Sequence, residues 1–279
     1  MKVWIIGKWG MLASAMRRKC EENGIPYVAT SRKEVDIENE AAIRAQFETL
    51  HFTHVVNCSG YTAVDQAEEE AEKAHALNAE AVAVLAKLAK ENGKKVIHFS
   101  TDYVFDGEQE TYSKDDACNP LSTYGKSKEA GERNLFEHLP NALLIRTSWL
   151  FGREGDHFVK KMVALMEKEE ELQVVNDQMG RPTYADDLAE AALSILDHSG
   201  IYHFANEGAT TWHGFAEAIH KKLQEKKEIQ CKKIEPVSSE TFGAKALRPR
   251  NSTLSTNHFS PKHWEVGLEE VLDHAFGLK

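Results

Sequence analysis

A tyrosine and a lysine four residues apart, Tyr124 and Lys128, follow an apolar run that ends in Ser100-Thr101. On a helix this spacing puts the phenol and the ammonium on one face, one turn from each other. A nearby cation favours phenolate and pulls a tyrosine pKa down from about 10. The phenol then becomes a usable proton donor or acceptor near neutral pH. Thr101, at the end of the apolar run, supplies a hydroxyl that completes a three-point hold on a carbonyl or alcohol oxygen. Tyr-x-x-x-Lys is a common pattern by itself. Here it occurs once, directly downstream of a strand that closes in Ser-Thr.

The elements that must position these groups read off the chain in order. Residues 3–6 (Val-Trp-Ile-Ile) form a short apolar run suited to a strand covered on both faces. The run passes into Gly7-Lys8-Trp9-Gly10-Met11-Leu12-Ala13 and then a helical stretch to Gly24. Strand, glycine loop and helix in this order open a dinucleotide-binding unit. Gly7 permits the tight turn, Gly10 lets backbone approach a pyrophosphate at the helix N-terminus, and Ala13 is the third small position. A second strand, 27–30, ends in Ser31-Arg32-Lys33, where a carboxylate for a ribose 2′-hydroxyl is the usual NAD signature. A hydroxyl and two cations suit a 2′-phosphate instead. Asp36-Ile37 then lead into a helix ending near Leu50.

Residues 55–57 read as a third strand, with Ser59 and Gly60 offering small residues where a cofactor passes close to backbone. An acidic helix start (68–72) and an apolar-periodic helix (76–88) precede the fourth strand, 96–99. Beyond Lys128 the helix runs to about Glu137, and 142–146 is a fifth strand. Strands alternating with helices predict an α/β fold with a doubly wound parallel sheet of Rossmann type. Later segments are less regular: helices near 158–170, 184–196, 212–224 and 268–276, and strands at 172–175 and 201–204. The expected division is a dinucleotide-binding domain of residues 1–147 and 184–205, and a smaller, discontinuous α/β substrate domain of 148–183 and 206–279.

Composition excludes several classes. The chain has 279 residues, a hydrophobic fraction of 42%, a charged fraction of 28% and a formal net charge of -10. No basic stripe stands out, so no nucleic-acid partner is expected. Four scattered cysteines without a Cys-x-x-Cys pair read as reduced thiols of a cytoplasmic protein. The opening residues are too short for a signal-peptide core, and no apolar run suggests a membrane partner. The thirteen histidines include no His-Glu-x-x-His, so no metal site is expected.

Taken together, these features resemble the extended short-chain dehydrogenase/reductase superfamily, and more narrowly the dTDP-4-dehydrorhamnose reductase family, over nearly the whole chain. The resemblance is carried by Gly7-Lys8-Trp9-Gly10, Tyr61-Thr62-Ala63-Val64-Asp65, Ser100-Thr101-Asp102-Tyr103-Val104-Phe105, Asn119-Pro120-Leu121 and Tyr124-Gly125-Lys126-Ser127-Lys128. Arg146-Thr147-Ser148-Trp149, Asn176-Asp177-Gln178, Pro182-Thr183 and Arg248-Pro249 with Asn251-Ser252 add to it. It implies that Thr101, Tyr124 and Lys128 are the catalytic set. It implies cofactor contacts from Gly7, Gly10, Met11, Leu12, Ser31, Arg32, Asp36, Ile37, Ser59 and Gly60, with Tyr124 and Lys128 beside the nicotinamide ribose. Thr62, Val64, Tyr103, Trp149, Arg181 and Arg248 would line the sugar pocket. The implied reaction is NADPH-dependent reduction, with NADH as the other possible cofactor, of the C4 keto group of a nucleotide-linked 4-keto-6-deoxy sugar. Its product would be dTDP-L-rhamnose or a close relative.

The chain departs from the family pattern at Trp9, at Ala13 in place of the last glycine, and at Ser59-Gly60 in place of two alanines. Residues 11–16 carry no carboxylate of the kind used by relatives that dimerise around magnesium; a homodimer remains possible. Two alternatives stand beside the reductase. One is a sugar-nucleotide epimerase or dehydratase on the same scaffold. The other is a non-catalytic, NADP-binding regulatory subunit resembling that of methionine adenosyltransferase.

Overall fold

The structure is a computed structural model that describes residues 1–256 and 258–275. The first strand, β1 (Val3–Ile6), is buried at all four positions, and its side chains alternate between two cores. Val3 and Ile5 face a layer that includes Leu12, Met16 and Leu188, whereas Trp4 and Ile6 face Ile43, Phe47 and Leu85. That alternation makes β1 the seam of a sheet covered on both sides. Helix α1 (Met11–Glu22), strand β2 (Tyr27–Thr30), helix α2 (Glu40–Thr49) and strand β3 (His54–Asn57) follow, β2 pairing with one edge of β1 and β3 with the other.

After β3 come two short helices, α3 (Val64–Ala67) and α4 (Ala71–His75). A π-helical turn (Ala76–Glu80) then feeds α5 (Ala81–Glu91). Next come β4 (Lys95–Thr101), α6 (Thr123–His138) and β5 (Leu143–Thr147). The expected regular helix over 76–88 is thus interrupted. The reason lies in Asn78, which is 1% exposed and whose side chain bonds Tyr61 and Ser127 in the space the π turn opens. Periodicity of apolar residues carries no trace of such a turn.

The remaining elements are β6 (Leu150–Phe151), α7 (Phe158–Met166), β7 (Glu171–Val175), β8 (Met179–Gly180), β9 (Thr183–Tyr184), α8 (Ala185–Ser194) and β10 (Gly200–His203). They end with β11 (Thr210–Thr211), α9 (Trp212–Lys226), β12 (Lys233–Val237), α10 (Ser239–Phe242) and α11 (Trp264–Ala275). The main sheet is six-stranded and parallel, in the order β10-β5-β4-β3-β1-β2. Strand β10 pairs Ile201 with Leu144, so the α8-β10 unit returns to this sheet, and α8 packs on α1. A separate apolar cluster forms among Phe151, Met162, Phe215, Ile219, Trp264 and Leu268. Strand β12, which pairs with β7, has no counterpart in the sequence reading, because Pro236 and alternating charges mask it. The last helix starts four residues earlier than the expected 268, and residue 276 lies outside the described residues.

Two glycines in α6 set how closely that helix sits on the sheet. A Cβ at Gly131 would come within 2.0 Å of the Asn78 carbonyl oxygen, and one at Gly125 within 2.2 Å of the Tyr103 carbonyl oxygen. Both obstacles are backbone, which cannot turn aside. Gly131→Ala should therefore destabilise the fold by about 2 kcal/mol or more, an overpacking cost that exceeds the roughly 1 kcal/mol gain in helix propensity. Urea unfolding measures it; a variant as stable as the parent would contradict the close approach.

Candidate active site

The site lies at the C-terminal ends of the parallel strands, where such sheets place ligands. Gly7 leaves β1 at φ 96°, a left-handed conformation that favours glycine. A Cβ there would press on the Cys58–Ser59 backbone at 3.3 Å. Gly10 caps α1 without a side chain, its N–H donating to Gly7 O at 2.7 Å, and no acidic residue occupies the first turn. No side chain caps the N-terminus of this helix of twelve residues, and none in its first turn offsets the positive end of its dipole. A bare helix terminus behind a glycine turn fits a dinucleotide pyrophosphate. Met11 packs against Gly152 and Gly155, and Leu12 is buried in the core beneath. Trp9, the departure inside the loop, points outward at 67% exposure with Lys8 and Arg17 over its ring. It leaves the turn's backbone alone.

At the end of β2 the expected donors for a 2′-phosphate are already engaged by carboxylates. Ser31 donates from its N–H and its hydroxyl to Glu34, both at 2.7 Å, and Lys8 Nζ sits 3.4 Å from the same carboxylate. These hydrogen bonds, the Ser31 hydroxyl foremost, hold Glu34 down to about 2. Arg32, exposed, reaches Asp36 at 3.4 Å and Glu38 at 2.8 Å. Ile37 is buried in the core rather than open to a ligand. Ser59 bonds Asn57 through both its N–H and its hydroxyl, and Gly60 lies beside Asn78 and Lys128.

Strand β4 and helix α6 bring Thr101, Tyr124 and Lys128 together. Thr101 donates to Asp102 Oδ1 at 3.0 Å and accepts from the Tyr103 N–H at 3.2 Å. Lys128, 5% exposed, donates to the Phe99 carbonyl at 2.7 Å and lies 3.4 Å from His98 Nε2. The expected electrostatics need correction. Burial pushes the Tyr124 phenol up to about 12, with only a hydrogen bond to Thr101 working against it. Burial also brings Lys128 down to about 8. In the cofactor-free chain desolvation outweighs any pull of Lys128 on the phenol, so Tyr124 is a protonated acid rather than an incipient phenolate.

Asp102 is a further group the sequence reading did not single out. It is 2% exposed, burial raises it to about 7, and it accepts from Ser252 Oγ at 2.5 Å. Ser252 brings the C-terminal segment over the site. Arg248 does the same, donating to both Asp65 oxygens at 3.0 and 2.6 Å and bonding the Tyr103 hydroxyl. Tyr103 lies edge-on to Tyr124, their ring centroids 6.0 Å apart. Thr62 is exposed and Val64 half-buried at the start of α3. Trp149 adopts φ 45°, left-handed backbone that a bulky side chain seldom takes. Its indole stacks on Trp212 at 3.6 Å and covers Gly180, where a Cβ would come within 2.5 Å of the ring. Arg181, expected at the sugar pocket, donates from its guanidinium to the Asn206 and Leu254 carbonyls at 2.7 and 2.9 Å. Burial lowers the Arg181 pKa against the pull of Glu207, and the residue ties segments together. Among the described residues no group of side chains could hold a metal ion, and no helix is long and apolar enough to cross a membrane.

Comparison with known proteins follows the same lines. The family model for the RmlD substrate binding domain matches residues 1–276. The spore coat polysaccharide biosynthesis protein SpsK of Bacillus subtilis is 36% identical, the match covering 97% of this chain and 96% of that protein. The dTDP-4-dehydrorhamnose reductase of Salmonella typhimurium is 34% identical over 99% and 98% of the two chains. Among solved structures, the dTDP-4-dehydrorhamnose reductase of Bacillus anthracis in complex with NADP superposes with a TM-score of 0.92 at 33% identity, covering 97% and 98% of the two chains. A UDP-glucose 4-epimerase of Thermus thermophilus, at 19% identity and a TM-score of 0.82, shares the fold. Relatives of full length, the family model and the geometry of the strand ends agree, and the chain belongs to the RmlD substrate-binding-domain family.

Proposed function

We propose that this protein is an NADPH-dependent reductase of the C4 keto group of a nucleotide-linked 4-keto-6-deoxy sugar, with dTDP-4-dehydrorhamnose as substrate and dTDP-L-rhamnose as product. The observation that carries the reading is the meeting of a protonated phenol, a hydroxyl and a buried amine, Tyr124, Thr101 and Lys128, at the same edge of the sheet as the uncapped N-terminus of α1. Relatives at 34% identity named for this reaction, and one at 33% solved with NADP, support it. NADPH, when bound, supplies the hydride that reaches the sugar C4. Tyr124 gives its proton to the oxygen that becomes the hydroxyl. Thr101 hydrogen-bonds that oxygen and so stabilises the charge developing on it. Lys128 holds the nicotinamide ribose and adjusts Tyr124.

The work divides between two parts of the chain. Residues 1–147 and 184–205 hold the cofactor, and 148–183 with 206–279 hold the sugar nucleotide; the second apolar cluster supports this division. Trp149, stacked and strained, supplies a flat apolar wall of the sugar pocket, with Thr62, Val64, Tyr103 and Arg248 around it. Four free cysteines support a reducing, cytoplasmic setting.

Three variants separate the roles. Tyr124→Phe should lower turnover by about a hundredfold or more, the size of a lost general acid, with NADPH binding nearly intact. Thr101→Val should likewise act mainly on turnover, and Lys128→Met on both turnover and cofactor affinity. The turnover rate and cofactor dissociation constant of each variant decide it. Turnover within about threefold of the parent in Tyr124→Phe, at every pH, would remove Tyr124 as the acid.

The cofactor preference has its own test. Ser31, Lys8 and Arg32 should favour NADPH over NADH by about tenfold or more once the 2′-phosphate takes the place of the carboxylates they now hold. Arg32→Ala should reduce that preference, and Glu34→Gln, which removes a competing anion, should increase it. Fluorescence titration of both cofactors reads the ratio. Equal dissociation constants in the parent, or a ratio untouched by either change, would contradict the assignment.

A further inference from the structure

Trp9, the departure inside the glycine turn, has no task in the scheme above. The turn that carries it is firmly tied: the Gly7 and Lys8 N–H groups donate to the Thr30 carbonyl at 2.9 and 3.0 Å, and the Gly10 N–H donates back to Gly7 O. Its backbone therefore joins the two places where a dinucleotide brings phosphate, the N-terminus of α1 and the end of β2. Trp9 stands at this junction with an indole that is 67% exposed. So large an apolar face left in water gains nothing from burial. Two cations gather on it instead. Lys8 Nζ lies over the ring, 5.1 Å from the centroid, and the Arg17 guanidinium lies over it at 5.3 Å. The electron-rich face of an indole attracts such groups and offsets part of their mutual repulsion.

Arg17 differs from the cations already described near the end of β2. Lys8 is held by Glu34, and Arg32 by Asp36 and Glu38. Among the described residues no carboxylate pairs with Arg17, and its hydrogen bonds go to uncharged oxygens. It donates to the Lys8 carbonyl at 3.4 Å and to the Tyr27 hydroxyl, which in turn donates to Glu21. Long side chains on a helix lean toward its N-terminus, so Arg17, in the second turn of α1, reaches back to the glycine turn. Arg18, the next residue, is paired with Glu154 and Asp186, both at 2.5 Å.

We propose that Arg17, held on the indole of Trp9 beside Lys8, is a binding residue for the 2′-phosphate of the cofactor's adenosine, and that Trp9 is the positioning residue that keeps both cations at the turn. The proposal rests on the reading of NADPH as the cofactor and adds Arg17 and Trp9 to Ser31, Lys8 and Arg32. A guanidinium with no carboxylate partner has no anion to give up when phosphate arrives. Lys8 and Arg32 must first release Glu34, Asp36 and Glu38. Holding Lys8 and Arg17 close together costs free energy in the empty chain, and a phosphate between like charges relieves it. An indole that stacked on adenine would serve NADPH and NADH alike, because the two differ only at the 2′-oxygen. An indole that carries cations serves the phosphate alone.

Calorimetric titration with NADPH and with NADH, in the absence of sugar, tests this on the parent and three variants. Arg17→Ala should lower the ratio of NADPH to NADH affinity by about tenfold, and Trp9→Thr by about threefold, with NADH affinity nearly unchanged in both. Trp9→Phe keeps an aromatic face and should retain most of the ratio. Adenosine 2′,5′-bisphosphate titrated against 5′-AMP should show the same losses, since both lack the nicotinamide half. A ratio unchanged in Arg17→Ala would overturn the proposal. So would Trp9→Thr weakening both cofactors by one factor, or Trp9→Phe faring no better than Trp9→Thr. A parent that binds neither cofactor would remove the cofactor reading and the proposal with it. A parent that prefers NADPH, with the ratio intact in all variants, would remove the proposal alone. The expected losses in a chain that turns over no keto sugar would count for the proposal and against the reductase reading.

Discussion

Everything at the site hangs from the seating of α6 on the end of β4. Lys128 donates to the Phe99 carbonyl at 2.7 Å, a bond that holds only because the helix comes down onto backbone. Gly125 and Gly131 make that approach possible by presenting no side chain to the Tyr103 and Asn78 carbonyls. Once α6 is seated, Tyr124 lands beside Thr101, and Ser127 meets the Asn78 amide that pins the loop at Tyr61. A few tenths of an ångström in this contact separate a reacting geometry from a loose one.

Low dielectric around these groups has a cost that the fold offsets locally. Asp102 is buried, and burial raises its pKa to about 7, yet the Thr101 and Ser252 hydroxyls both bond it. Arg146 and Glu132 are buried together in a bidentate pair, where removing either partner would strand a charge. Burial is also what makes Tyr124 an acid that keeps its proton until a ligand changes its surroundings. The C-terminal segment closes this environment: Ser252 on Asp102 and Arg248 on Asp65 each join residues far apart in the chain. Site and fold are therefore the same set of contacts.

Much of this was legible in the sequence, for identifiable reasons. Strands β1, β3, β4 and β5 announce themselves because a strand covered on both faces must be a short apolar run, and Gly7 because a turn at positive φ favours glycine. Tyr124 and Lys128 were legible because helical spacing is local. What the sequence did not carry is whatever depends on distant partners. Ser252 reaches Asp102 from 150 residues away, and Arg181 looks like a free cation until Asn206 and Leu254 are seen to hold it. The π turn at Asn78 is dictated by tertiary hydrogen bonds. The sign of the Tyr124 shift is not carried by the sequence, because desolvation is invisible in a string of letters.

The central claim is that hydride passes from the cofactor to a sugar carbonyl and stays there, in contrast to an epimerase, which takes a hydride from the sugar and gives it back, with no net consumption of cofactor. The most direct measurement uses NADPH carrying deuterium at the transferable nicotinamide position, incubated with this protein and dTDP-4-dehydrorhamnose. Mass spectrometry and NMR of the sugar product should find one deuterium per molecule, bonded to C4, with NADPH consumed in equal amount. Deuterium that stays on the cofactor while the sugar changes configuration, or a sugar returned unchanged although NADPH binds, would contradict it.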